Sequence, residues 1–135
     1  MHHVFLALGT NLGDKQQNIH RALDAINAQV GHILKTSSVI ETAPLGFQSD
    51  NTFLNAVILC ETDLLPLQLL HRTQQIERQM GRTTKSVNGI YHDRIIDIDI
   101  LLYDDLTLST PELTIPHPRM SQRDFVMTPL REISS

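Results

Sequence analysis

The apolar residues in the first half of the chain follow two different spacings, and the spacing changes at turn residues. A continuous apolar run at residues 4–8 indicates a buried strand. Residues 15–30 predict a helix because their apolar positions recur every three or four residues, and Gly31 is placed to end it. Residues 32–42 and 53–62 are rich in β-branched residues, which predicts two further strands.

The second half of the chain repeats the change from helix to strand. Proline is accommodated in the first turn of a helix, so the next helix is predicted to begin at Pro66, and it ends near Gly81. Residues 82–93 lack apolar periodicity and predict a long loop, whereas residues 94–103 predict a strand.

The chain beyond residue 103 shows weaker signals. We predict a turn at residues 104–105, extended pieces at 106–108 and 113–115, and a short helix from Ser121 that Pro129 breaks. The main elements therefore follow the order strand, helix, strand, strand, helix, strand. This order is that of the ferredoxin-like split βαβ fold, an α+β sandwich in which two helices cover one face of an antiparallel sheet.

Composition and charge narrow the class of protein. The 135 residues suit one domain spanning 1–135, and 41% are hydrophobic, which is typical of a globular chain. The net charge of −4 argues against a nucleic-acid partner, and no apolar stretch reaches membrane-spanning length. The single cysteine, Cys60, fits a reducing compartment. We therefore expect a cytoplasmic monomer whose partners are small molecules.

Two carboxylates stand at alternate positions in the strand predicted at 94–103. Alternate residues of a strand share a face, so Asp97 and Asp99 lie on one face and Ile96, Ile98 and Ile100 on the other. A pair of oxygen ligands on a rigid strand suits magnesium. A solvated sheet edge would also tolerate two neighbouring aspartates, and from these residues alone both interpretations remain open.

Several cationic residues surround the two aspartates in the sequence. Arg82, Lys85 and Arg94 precede them, and His117 and Arg123 follow them. Guanidinium groups form paired hydrogen bonds with phosphate oxygens, although any one of these residues could instead be an ordinary surface charge. Their number around a predicted metal pair indicates a site for a nucleotide phosphate.

Longer stretches of the chain resemble a known family, 6-hydroxymethyl-7,8-dihydropterin pyrophosphokinase, an enzyme of folate synthesis. The most specific motifs are Asp-Arg-x-Ile-Asp-Ile-Asp-Ile-Leu-Leu at residues 93–102 and Pro-His-Pro at residues 116–118. Shorter matching segments occur in the same order along nearly the whole chain: residues 7–13, 41–46, 53–56, 74–77, 81–82, 115–120, 123–125 and 129–130.

The resemblance implies an activity and a set of site residues. The expected reaction transfers pyrophosphate from ATP to the pterin, with two magnesium ions held by Asp97 and Asp99. The residues that match the pterin pocket are Thr42, Pro44, Leu45, Phe53, Asn55, Tyr91 and Phe125. Those that match ATP-binding positions are Gln74, Glu77, Arg82, Lys85, Arg94, Ile100, His117 and Arg123. Arg82 and Arg94 also match the arginines associated with the chemical step.

Two other functions remain compatible with the aspartate pair. A ferredoxin-like ligand sensor could bind a cation there without turning anything over, and a metal-dependent phosphohydrolase could use the same pair. The products distinguish the three. A sensor makes none, a hydrolase releases phosphate without a pterin, and the pyrophosphokinase forms AMP only when a pterin is present.

Overall fold

The computed structural model describes residues 1–42, 52–81 and 95–134. The described elements, in chain order, are β1 (His2–Thr10), α1 (Lys15–Gln29), β2 (Gly31–Thr36), β3 (Ile40–Thr42), β4 (Phe53–Thr62), α2 (Pro66–Gln79), β5 (Asp97–Tyr103), β6 (Leu108–Ser109), β7 (Thr114–Ile115), a 3₁₀ turn (Met120–Gln122) and α3 (Asp124–Ile133). No helix in these ranges is long and apolar enough to cross a membrane.

The strands form the predicted antiparallel sheet. Their order is β2-β4-β1-β5, and β3 pairs with β4 beside β2, while β6 and β7 pair with each other. Each of the three main pairings is antiparallel. The interleaved order places the first and third main strands in the middle of the sheet, as the ferredoxin-like prediction requires.

One face of the sheet is covered by α1 and α2. Alternate apolar residues of β1 and β5 point into this core, in accordance with the period-two pattern of their sequences. The largest fully buried side chains on this face include Leu6, Leu8, Ile26, Ile58, Leu69, Ile76, Ile96 and Ile98. The isoleucines that alternate with Asp97 and Asp99 therefore lie in the core, as predicted.

The opposite face of the sheet carries a second, smaller core under α3, which the sequence interpretation did not foresee. Val126, Leu130 and Ile133 of α3 pack on Val57 of β4 and Leu101 of β5. Pro129 lies inside α3 and is buried, so the predicted break at this residue is wrong. Proline removes one helical hydrogen bond, but packing of the apolar helix face on the sheet offsets that loss.

Two predicted boundaries near Gly31 also differ from the structure. Gly31 is the first residue of β2 and does not cap α1. The C-cap of α1 is Val30, whose N–H donates to the carbonyl of Ile26. A Cβ at Gly31 would overlap the carbonyl oxygen of Glu61. The glycine is thus required by close approach of two strands, because no side chain fits between them.

The strand predicted at 32–42 is divided at residues 37–39. The N–H of Ser37 donates to the carbonyl of Val57, and the Ser37 hydroxyl accepts from the N–H of Val57 at 2.8 Å. The N–H and hydroxyl of the next residue, Ser38, both donate to Glu132 of α3. Serine side chains compete with backbone groups for such bonds, which interrupts the ladder between β2 and β3.

Candidate active site

The register of three strands brings a carboxylate and an amide to either side of a glycine. Gly9 of β1 is opposite Asn55 of β4 and opposite Asp97 of β5. Directly opposed residues of antiparallel strands project to the same face, so Asn55 and Asp97 flank a position that has no side chain. A Cβ on Gly9 would lie 3.3 Å from Asn55 Oδ1 and 3.8 Å from Phe53 Cδ1. The backbone of Gly9 therefore forms a flat floor between these groups.

The first wall of the site comes from β3 and β4. Thr42 is opposite Phe53 in their register, and Asn55 Nδ2 donates a hydrogen bond of 2.8 Å to Thr42 Oγ1. This bond orients the amide so that Oδ1 lies toward Gly9. Phe53 is half-buried and belongs to neither hydrophobic core, which favours a binding role over a packing role.

Asp97 and Asp99 occupy the same face, one strand further along the sheet. Asp99 is opposite Ala7, two residues before Gly9, and both aspartates are half-buried. Alternate strand residues are separated by about 6.7 Å, so the two carboxylates can share one ligand assembly. This face also carries Leu101 and α3, so the aspartates border a second core.

The carboxylate pair fits magnesium by the chemistry of its donors. Within residues 1–42, 52–81 and 95–134, no group of three or more His, Cys, Asp and Glu side chains is arranged to hold a metal. Two carboxylates suffice for magnesium when phosphate oxygens and water supply the other positions, as in many nucleotide sites. The arrangement would thus be completed by a phosphorylated substrate.

The outer edge of β5 is held by residues from two other parts of the chain. Glu77 of α2 is 3% exposed, and its Oε2 accepts a hydrogen bond of 2.8 Å from the N–H of Ile98. The N–H of His117 donates to the carbonyl of Leu101 at 3.0 Å. Glu77 and His117, both predicted for ATP binding, are therefore anchored directly on the strand that carries the aspartates.

The start of α3 places an aromatic ring beside a cation. Phe125 is half-buried against the second core, and the guanidinium carbon of Arg123 lies 5.7 Å from the centre of its ring. Such a separation is within the range of cation–π attraction. Two further residues predicted for ATP binding differ in exposure. Gln74 of α2 is half-buried, whereas the side chain of Ile100 is 4% exposed and lies in the core under α1 and α2.

Six of the predicted site residues fall outside the described ranges. These are Pro44, Leu45, Arg82, Lys85, Tyr91 and Arg94. The other predicted site residues belong to β3, β4, α2, β5, the segment around His117, and the start of α3.

Sequence reasoning missed Gly9 as a member of the site. The strand predicted at residues 4–8 stops before Gly9, whereas in the structure Gly9 lies inside β1 and separates Asn55 from Asp97. The available signal was an isolated glycine beside an apolar strand, which often marks close approach of another group.

The buried thiol of Cys60 is unsuited to nucleophilic chemistry. Cys60 is 0% exposed, and burial, together with the charge of Glu61, raises the pKa of its thiol to about 11. The thiolate is the reactive form, and it is scarce near neutral pH. The site described above therefore does not depend on this cysteine.

Several proteins of known name are similar to this chain in sequence. A protein from Porphyromonas gingivalis named 2-amino-4-hydroxy-6-hydroxymethyldihydropteridine pyrophosphokinase is 49% identical over 132 residues, which covers 97% of this chain and 90% of that protein. The protein of the same name from Bacillus subtilis is 39% identical over 131 residues, with 96% and 77% covered. A folic acid synthesis protein of Dictyostelium discoideum is 43% identical over 131 residues, which are 97% of this chain and 19% of that one.

Solved structures support the fold independently. The wild-type HPPK-DHPS of Plasmodium falciparum superposes with a TM-score of 0.75 and 18% identity, and the match covers 98% of this chain and 40% of that one. A variant of the same Plasmodium protein gives a TM-score of 0.80 over 98% of this chain. At this identity the likeness concerns the fold, which is α+β and ferredoxin-like as predicted.

The family is defined by the sequence match. The model of the 7,8-dihydro-6-hydroxymethylpterin-pyrophosphokinase (HPPK) family matches residues 5–135. The chain belongs to this family. The enzyme class expected from the resemblance, an ATP-dependent pyrophosphokinase of folate biosynthesis, is thereby confirmed.

Proposed function

We propose that this protein transfers pyrophosphate from ATP to 6-hydroxymethyl-7,8-dihydropterin on the α3-covered face of its sheet. The observation that carries the proposal is the register of β1, which sets Asn55 on one side of Gly9 and Asp97 on the other. One face thus holds an amide suited to a heterocycle and a carboxylate suited to a metal-bound phosphate.

The pterin is assigned to the Asn55 side of the site. A flat ring stacks favourably on an aromatic side chain, and Phe53 lies beside the Gly9 floor. Asn55 Oδ1 can accept from an N–H of the ring because its Nδ2 is engaged with Thr42. Phe125 would supply the opposite stacking face, and Pro44, Leu45 and Tyr91 would complete the pocket.

Magnesium is assigned to Asp97 and Asp99, with two ions expected. When bound, the ions would supply positive charge to the phosphates and lower the pKa of the attacking hydroxyl. The two aspartates hold fixed negative charge on the face where the phosphates must lie. Their separation from Asn55 by a single strand allows one substrate pair to contact both.

ATP is assigned to the β5 side of the site. The segments around β5 supply four residues expected to bind ATP: Gln74, Glu77, His117 and Arg123. Further positive charge would come from Arg82, Lys85 and Arg94. The Ile100 side chain lies in the core, so its contribution would come from backbone groups. The guanidinium of Arg123 is positioned beside Phe125, where the nucleotide and pterin would be adjacent.

The reaction follows as an in-line displacement. The hydroxymethyl oxygen of the pterin attacks the β-phosphorus of ATP and loses its proton. The bond between the β-phosphorus and the oxygen bridging to the α-phosphorus breaks, and AMP leaves with that oxygen. Arg82 and Arg94 would stabilise the charge that develops on the phosphate oxygens.

A product assay tests the proposal. Purified protein is incubated with ATP and magnesium, with and without the pterin, and the nucleotides are separated by chromatography. We expect equal amounts of AMP and pterin diphosphate, formed only when the pterin is present. Phosphate release without a pterin would indicate a phosphohydrolase, and binding without turnover would indicate a sensor.

Three predictions about the whole molecule accompany this function. We expect a cytoplasmic location, in keeping with the single cysteine, and one domain over residues 1–135, in keeping with the length of the chain. We also expect the protein to be a monomer.

A further inference from the structure

The strand that carries the two aspartates is attached to α2 through a buried carboxylate. Glu77 is 3% exposed, and its Oε2 accepts from the N–H of Ile98 at 2.8 Å. Ile98 is the residue between Asp97 and Asp99. The contact therefore acts on the backbone at the midpoint of the carboxylate pair.

This contact has the features of a specific tether. Burying a carboxylate is costly unless it is hydrogen-bonded, and a bond to an ionised acceptor is stronger than a bond between neutral groups. Among the strands that the structure describes, β5 is at the edge of the sheet. It pairs with β1 along one side, and Glu77 bonds to the other side. The side chain of Ile98 is 2% exposed in the core that α1 and α2 cover, whereas the aspartates face the other way.

We propose that Glu77 is a positioning residue that sets the spacing and direction of Asp97 and Asp99 by fixing the Ile98 backbone between them. Its carboxylate acts by the length of its side chain, which extends from α2 to the edge of β5 and accepts the Ile98 N–H there. The inference rests on the proposed magnesium role of the two aspartates. It assigns Glu77 a role in metal affinity that is separate from contact with ATP.

Two substitutions of Glu77 distinguish an effect of side-chain length from an effect of charge. Glu77→Gln keeps the length of the side chain and an acceptor oxygen but removes the charge. Glu77→Asp keeps the charge but withdraws the carboxylate by one methylene, away from the Ile98 N–H. Thr73→Val is the matched control, since Thr73 is equally buried on α2 and its hydroxyl bonds within its own helix, to the carbonyl of Leu70.

The readout is the magnesium concentration that gives half-maximal turnover at saturating ATP and pterin. Loss of a group that orients metal ligands typically weakens metal binding by about 10–100-fold. We therefore expect Glu77→Asp to raise the half-saturating magnesium concentration by about tenfold, and Glu77→Gln and Thr73→Val to change it by less than about threefold. Pterin affinity measured without metal should be unchanged in all of them.

Several outcomes would overturn the inference. One is a larger rise in the half-saturating magnesium concentration for Glu77→Gln than for Glu77→Asp, because the charge of the side chain and not its length would then matter. Another is a Glu77→Asp protein that behaves like the control. The Ile98 amide of the wild-type protein gives a second readout by NMR that does not depend on turnover, and this readout also decides if Glu77→Asp does not fold. This amide should exchange slowly and shift on adding magnesium, and exchange at the rate of an exposed amide would refute the tether.

The failure of this inference can be told apart from failure of the proposed function. Asp97→Asn and Asp99→Asn are measured in the same assay. If they abolish turnover while Glu77→Asp is unaffected, only the tether is wrong. If the aspartate variants are also fully active with an unchanged magnesium requirement, the metal site itself is wrong.

Discussion

Asn55 donates its side-chain N–H to the hydroxyl of Thr42 at 2.8 Å, and this bond joins β4 to β3 at the pterin side of the proposed site. Asn55 is only 6% exposed, so its amide has few alternatives to this orientation. The bond leaves Oδ1 near Gly9, where a ligand N–H could meet it. The pair therefore acts as one unit in recognising a heterocycle.

Thr42→Val should weaken pterin binding while leaving ATP binding unchanged. Valine has nearly the shape of threonine but cannot accept the Asn55 N–H, so the amide loses its fixed orientation. One such hydrogen bond contributes about 1 kcal/mol, which corresponds to roughly fivefold in affinity. Calorimetry with each ligand measures the effect. Thr62→Val is the control, because the Thr62 hydroxyl is bonded to the carbonyl of Val30, at the far end of β4. Equal effects of both variants on pterin affinity would contradict the assignment.

Asp97→Asn and Asp99→Asn should each lower kcat by roughly a hundredfold or more, because each removes a negative charge that holds the metal on the phosphates. The melting temperature should stay close to that of the wild-type protein, since both side chains are half-buried on the site face and lie outside the apolar cores. Asp105→Asn, in an exposed turn, is the control. Near-normal turnover of both variants at saturating magnesium would rule out the metal role.

Gly9→Ala should reduce pterin affinity more than it reduces stability. The added methyl group would lie 3.3 Å from Asn55 Oδ1 and would occupy the floor of the site. Crowding of this kind costs about 1 kcal/mol or more, or roughly fivefold in affinity. Alanine suits a strand at least as well as glycine, which offsets part of the crowding against Asn55, so urea unfolding should show a smaller loss of free energy than pterin binding does. A variant that binds pterin normally would show that the ligand does not lie over Gly9.

The turn after β5 should make stability depend on pH. The N–H of His3 donates a hydrogen bond to the Asp104 carboxyl, and the imidazole of His2 bonds to the same carboxyl. The His3 bond has the larger effect, and both bonds lower the pKa of this carboxyl from 3.8. The ionised form is therefore favoured by the fold. Its contribution is present above pH 3.8 and is lost as the pH falls through the lower pKa of the folded state.

Asp104→Asn measures this contribution. Asparagine accepts the same backbone N–H and tolerates the positive φ of 47° at this turn, but it carries no charge. We expect the variant to be less stable at pH 6 by no more than about 1 kcal/mol, because both side chains of the pair are well exposed. The difference from wild type in urea unfolding should shrink as the pH falls below 3.8. A difference that is constant down to pH 2.5 would refute the electrostatic origin.

The sequence alone determined the features that depend on near neighbours. Period-two spacing placed Asp97 and Asp99 on one face and three isoleucines on the other, because side-chain direction in a strand alternates from residue to residue. The bounds of β4 at Phe53–Thr62 and the start of α2 at Pro66 were also predicted, since each has a local signal at its end. The family resemblance rested on short motifs of the same local kind.

The tertiary structure alone decided which distant residues meet. Helix α3 continues through Pro129 because the apolar face it presents to β4 and β5 compensates for the lost hydrogen bond. Strand register places Gly9 between Asn55 and Asp97 in the site. Packing of α2 on the sheet places the Glu77 carboxylate against the N–H of Ile98. Register is set by the sum of contacts between segments far apart in the chain, so no single stretch of sequence carries it.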